Sequence, residues 1–141
     1  MQQRIRGAWQ LQTWKRYRDD GTTEFPFGKT PRGILIYADD GSMAVQMVVA
    51  DRPVLDTDDP IGGSVEKRAE AYSTCLSYFG SYELRENEIV HKVDAALFPN
   101  WSNTSQVRPF VLDEGTLALQ VRDDTGRVTS EIIWERKQDT A

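Results

Sequence analysis

Aspartate–glycine turn clusters recur along the chain, at Asp19-Asp20-Gly21, Asp39-Asp40-Gly41, Asp113-Glu114-Gly115 and Asp123-Asp124-Thr125-Gly126. Glycine tolerates the positive φ of a tight turn, and aspartate holds such turns through its own side chain. Arg85-Glu86-Asn87-Glu88 is a fifth, weaker punctuation. Between the clusters the apolar residues tend to alternate, which is the period of a half-buried strand. Repeated strand–turn–strand punctuation predicts a meander of antiparallel strands.

In chain order, the predicted strands are 7–14, 33–37, 42–49, 78–84, 89–98, 106–112, 116–121 and 128–136. In the first, Trp9, Leu11 and Thr13 share a face while Trp14 falls on the polar one, so a bulge or a partly covered tryptophan is expected there. In the third, Met43, Val45, Met47 and Val49 form the apolar face; methionine suits either a core gap or a cavity wall. Gly80, on the face of Tyr78, Tyr82 and Leu84, marks a bend or a close backbone approach.

Two connections are long. Residues 22–31, with Phe25-Pro26-Phe27-Gly28, read as a lid over one barrel end, serving packing or ligand gating. Residues 50–63 read as an exposed loop. Ser64 then caps one short helix, about residues 64–76, with Glu66 in its first turn where the helix dipole favours an acid. Val65, Ala69, Tyr72 and Leu76 fall on one stripe, so the helix is expected to pack on the sheet. Cys75 lies beside that stripe as a buried inert thiol rather than a nucleophile.

Eight antiparallel strands in up-and-down order remove their edges by closing. The expected fold is therefore all-β: an eight-stranded antiparallel barrel forming a single domain over 1–141. At that strand number the interior admits its own side chains or one small ligand.

Composition narrows the function. The net charge is −5 with basic residues scattered among acids, so no basic face for nucleic acid is visible. One cysteine and one histidine exclude an internal disulfide and make a zinc site implausible. No stretch approaches a membrane span, and Met1-Gln2-Gln3-Arg4-Ile5-Arg6 precedes no apolar signal region, which predicts a cytoplasmic protein. There is no phosphate loop, dinucleotide fingerprint or nucleophile elbow, so neither cofactor nor metal is expected.

His91, the single histidine, shares its predicted face with Val93, Ala95 and Leu97, while Lys92 and Asp94 point the other way. It is therefore expected inside, as a histidine satisfied by a tyrosine or backbone, or as a polar anchor or acid–base group. Arg108 shares a face with Gln106 and Phe110, opposite Val107, Pro109 and Val111, which leaves its direction open. If inward, it needs a partner: a ligand carboxylate or enolate, Glu83, or a tyrosine hydroxyl. Tyr37, Tyr78 and Tyr82 are candidates for hydroxyls at a cavity wall, and Trp101 for closing a rim. Each is also a plain packing residue. Asn100, in the Phe98-Pro99-Asn100-Trp101 corner, is expected to hold that turn through its side chain.

Several segments together resemble the bacterial and fungal lipocalin-like domain family, related in architecture to the calycins. They are Gly7-Ala8-Trp9, Pro26-Phe27-Gly28 with Pro31-Arg32-Gly33-Ile34-Leu35-Ile36-Tyr37, and Asp40-Gly41-Ser42-Met43-Ala44-Val45-Gln46. Further on come Tyr78-Phe79-Gly80-Ser81-Tyr82, then Leu97-Phe98-Pro99-Asn100-Trp101 with Gln106-Val107-Arg108, and Trp134-Glu135-Arg136. The resemblance implies a small barrel with a hydrophobic chamber, and a cation–π contact between Trp9 and Arg136 at its closed end.

The leading expectation is a binding protein that holds a small, largely apolar molecule with one polar group. Tyr37, Met47, Tyr78, Tyr82, His91, Trp101, Gln106 and Arg108 are the candidate binding residues. The alternative is a cofactor-independent cyclase, isomerase or dehydratase acting on a polyketide- or terpenoid-like natural product, with His91 and Arg108 as catalytic groups. A third possibility is a barrel filled by its own side chains. A homodimer is left open.

Overall fold

In the computed structural model, residues 2–138 are described; Met1 and residues 139–141, which the single-domain expectation also spans, lie outside the described residues. The elements run α1 (Gln2–Ile5), β1 (Gly7–Tyr17), β2 (Thr23–Glu24), β3 (Arg32–Tyr37), β4 (Ser42–Val48), α2 (Val65–Ser73), β5 (Cys75–Leu84), β6 (Glu88–Ala96), a 3₁₀ turn (Pro99–Trp101), β7 (Ser105–Asp113), β8 (Thr116–Arg122) and β9 (Val128–Arg136). β2 is a two-residue spur on β1. The other eight strands pair antiparallel in meander order, and β1 pairs with β9 to close the barrel.

The turns follow the sequence with one exception. Gly21, Gly41 and Gly126 take positive φ, but in the Asp113–Gly115 turn it is Glu114, at φ 52°, that does so. Arg85 N–H donates to Glu88 O at 2.8 Å, closing the fifth turn.

Two bulges re-aim the walls. On β1 the register shifts between Leu11 and Thr13, so Trp9, Leu11 and Trp14 all reach the core. On β6, Phe79 pairs with Ala95 but Gly80 pairs with Val93, leaving Asp94 as the extra residue. A Cβ on Gly80 would lie 1.9 Å from Lys92 O, so only glycine fits against this bulge. The bulge also corrects the expected face of β6. His91 and Val93 point inward, but after Asp94 the phase changes: Ala96, opposite Tyr78, packs on the core, while Ala95 sits opposite the exposed Phe79.

The closed end is built as the resemblance implied. Arg136 lies 4.3 Å over the Trp9 ring, and its Nη1 donates to Arg6 O at 2.6 Å. The short helix α1, not anticipated from the sequence, adds buried Ile5, whose carbonyl accepts from Trp9 Nε1 at 2.9 Å. Phe27 packs edge-on against Trp14 at 4.9 Å, the packing role of the 22–31 connection.

Helix α2 is shorter than expected and ends before Thr74 to Leu76, of which the last two lie in β5. Ser64 caps it as predicted, accepting from Lys67 N at 3.2 Å. The packing expectation fails, because no residue of α2 is buried and Val65 and Tyr72 are exposed. Nine residues carry too little apolar surface to dock a helix whose flanks are charged. Its end is tethered instead by Arg52, which donates to Thr74 Oγ1 and Ala71 O, both at 3.0 Å. Cys75 is half-buried in β5. No helix among the described residues is long and apolar enough to cross a membrane.

Candidate functional site

The inner wall meets its polar groups at His91. Alternation from Ile89 through Val93 turns its ring inward, where it is 1% exposed. Tyr37 Oη approaches Nε2 at 2.6 Å, and Tyr78 Oη approaches Nδ1 at 2.6 Å. Both ring nitrogens are thus satisfied by buried tyrosines. Burial, reinforced by the nearby Arg108 charge, holds the His91 pKa down to about 3, so the ring is neutral at physiological pH. A neutral imidazole has one donor and one acceptor nitrogen, so one tyrosine must donate and the other accept. Burial pushes Tyr78 up to about 12 against the opposing Arg108 charge, and raises Tyr37 well above the usual phenol range. The trio is an uncharged, hydrogen-bonded chain across the barrel.

Tyr82 sits opposite His91 on β5, but its hydroxyl donates to Ala38 O at 2.9 Å. Its ring centre lies 4.8 Å from that of Tyr37. Tyr82 therefore braces Tyr37 rather than presenting a free hydroxyl.

A small cavity of about 40 Å³ lies beside this chain. Its wall includes Tyr78, His91, Trp101 and Arg108 with apolar Leu35, Met47 and Ile132. Of the binding residues expected from sequence, Met47, Tyr78, His91, Trp101 and Arg108 meet there, while Tyr37, Tyr82 and Gln106 do not line it. Leu35, Leu119, Ile132 and Trp134 also line it and were not singled out. Strand alternation in β8 and β9 carried that signal, because Leu117, Leu119, Ile132 and Trp134 fall on inward positions.

Arg108 is inward. The exposed face of β7 belongs to Val107 and Val111, at 42% and 52% exposure. The guanidinium donates to Val107 O at 3.1 Å and to Gln106 Oε1 at 3.2 Å. Gln106 in turn donates to Thr104 Oγ1 at 3.0 Å. Burial lowers the Arg108 pKa, opposed by Tyr78 and Tyr37. Glu83 is not its partner: that carboxylate faces outward to Lys92 at 3.3 Å and Arg85 at 3.7 Å.

Trp101 forms one side of the cavity from the 3₁₀ corner and packs edge-on against Tyr78 at 5.8 Å and Phe98 at 5.7 Å. The corner is held by Trp101 N–H donating to Phe98 O at 3.0 Å and by Thr104 Oγ1 donating to Trp101 O at 2.6 Å. Asn100 is exposed, and the side-chain bonds that brace the corner come from Thr104 and from Ser102, whose Oγ accepts from Ala96 N at 3.1 Å.

A family model described as a lipocalin-like domain matches residues 6–137. No curated protein matches the sequence. Among solved structures, a lipocalin-like protein from Bacteroides uniformis is similar at 16% identity and a TM-score of 0.54, covering 94% of this chain and 98% of that one. An uncharacterized protein from Bacteroides eggerthii is similar at 13% identity and a TM-score of 0.50, with the same coverage. At these identities the likeness concerns the fold alone.

Proposed function

Since the chain belongs to the lipocalin-like domain family, we propose that it binds a small, largely apolar molecule inside the barrel, with one polar group set against Tyr78 and Arg108. The observation that carries this reading is the interior cavity, whose apolar wall is interrupted by those polar groups. A cavity of about 40 Å³ exceeds the roughly 10–15 Å³ needed for one water but falls far below the roughly 300–1,000 Å³ of a drug-sized pocket. The polar group fits the cavity as it stands, and the apolar body requires Trp101 to move aside. Trp101 suits that movement, being half-buried on a short 3₁₀ turn rather than within a strand.

The enzymatic alternative, in which His91 is the acid or base, is weaker. Both ring nitrogens are already bonded, and a pKa of about 3 leaves a poor base at neutral pH.

Native mass spectrometry of the purified protein, with extraction of any co-purifying molecule, tests the binding reading. A bound apolar species, or displacement of an apolar fluorescent probe by one, is expected. A clean apo mass together with no probe binding by wild type would refute it.

A further inference from the structure

The interior cavity is unbalanced in its hydrogen-bonding capacity. Arg108 brings a guanidinium to the wall, and its two bonds go to neutral acceptors, Val107 O and Gln106 Oε1. The ion pairs among the described residues are Arg18–Glu24, Arg85–Glu83, Lys92–Glu83 and Arg127–Asp19, and none includes Arg108. Trp134 is a second, independent donor. It lines the same cavity, is 1% exposed, and its indole Nε1–H is buried with no acceptor among the described residues. An unpaired buried donor is costly, and nearly all such groups in proteins find a partner. The remaining polar atoms at the wall are already engaged: Tyr78 Oη is bonded to His91, and His91 to both tyrosines.

A guanidinium bonded only to neutral acceptors and an indole N–H with no acceptor call for a ligand group that is acceptor-only and negatively charged. Resting on the binding reading above, we propose that the ligand is a carboxylic acid, bound as the carboxylate with its oxygens on Arg108 and Trp134 and its apolar body directed past Trp101. A planar carboxylate matches the guanidinium fork in shape as well as charge. Its size suits a cavity of about 40 Å³ walled otherwise by Leu35, Met47 and Ile132. A phosphate, with more oxygens to satisfy, would face those apolar residues unpaired.

The test compares decanoate with decanol at neutral pH, following tryptophan fluorescence and native mass in parallel. Wild type is expected to bind decanoate at least about tenfold more tightly than decanol, a free-energy preference of about 1.4 kcal/mol. In Arg108→Gln that preference should fall to about twofold or less. Trp134→Phe removes only the N–H donor, so it should narrow the preference several-fold and serves if Arg108→Gln does not fold. Equal binding of acid and alcohol by wild type would overturn the carboxylate assignment while leaving the binding reading intact. An acid preference undiminished in both variants would overturn it too, placing the anion elsewhere. If neither probe binds wild type, the barrel interior is not a chamber for such molecules, and both readings fall together.

Discussion

Because the chain has one histidine, its stability should report that residue directly between neutral pH and pH 5. Unfolded, His91 titrates near its ordinary value of 6.5; folded, burial holds it near 3. The sign follows from proton binding. Below about pH 6.5 the unfolded chain takes up a proton that the folded chain refuses, so acidification favours unfolding. Stability is full above 6.5 and is lost progressively as pH falls toward 3. From pH 7 to pH 5 the loss from this one group is about 2 kcal/mol, at about 1.4 kcal/mol per unit once the unfolded histidine is mostly charged. Three exposed aspartates are shifted away from this window. Asp20, Asp40 and Asp123 have pKa values lowered from 3.8, chiefly by hydrogen bonds from Thr22, Ser42 and Thr125, so they titrate below it. Urea unfolding at pH 7, 6 and 5 supplies the free energies, and the ring signals of His91 by NMR supply the protonation state. The expected result is a steady fall of about 2 kcal/mol while the ring stays neutral, with the slope abolished in His91→Gln. A change under about 0.5 kcal/mol, or a ring that titrates near 6, would refute the burial argument.

The two tyrosines bonded to His91 should not be equivalent. Tyr37 does not line the cavity, so Tyr37→Phe strands Nε2 and should cost about 1–3 kcal/mol, whereas in Tyr78→Phe a cavity water can take over Nδ1 and the cost should stay below about 1 kcal/mol. Chemical denaturation of both variants decides it, and a larger loss in Tyr78→Phe would contradict the cavity's position. Gly80→Ala should cost about 3 kcal/mol or more, because the added methyl meets the Lys92 carbonyl rather than a movable side chain. An unchanged melting temperature in that variant would mean the bulge at Asp94 is absent.

The strand order was legible because a meander with short turns leaves little choice of neighbour, and eight strands suffice to close. The turns at Gly21, Gly41 and Gly126 and the inward histidine were equally readable, since both depend on local φ or on alternation within one strand. Alternation fails where a bulge intervenes. Ala95 and Leu97 could not be assigned to the right face from spacing, because the extra residue at Asp94 shows only in the pairing of β6 with β5, where Gly80 makes room for it. The helix stripe misled for a different reason: Val65, Ala69 and Tyr72 are correctly spaced, but the nine-residue helix buries none of them and is held at its end by Arg52. In β7 Gln106 and Arg108 share the inward face with Phe110 and Leu112 while Val107 and Val111 are exposed, so apolar residues lie on both faces and only the closed wall fixed the direction of Arg108.

Local chemistry in the chain therefore determined the barrel, its turns and the buried position of His91, whereas the cation–π contact of Trp9 with Arg136 was implied only by the family resemblance. Which groups face one another across the interior belonged to the tertiary structure alone. The bonds of Tyr37 and Tyr78 to His91 span 54 and 13 residues of sequence, and the cavity gathers side chains from strands that are not neighbours. Alternation specifies inward or outward on each strand. It carries no information on how the bulges rotate one wall against the next, and that rotation sets a guanidinium and an unpaired indole beside the same small space.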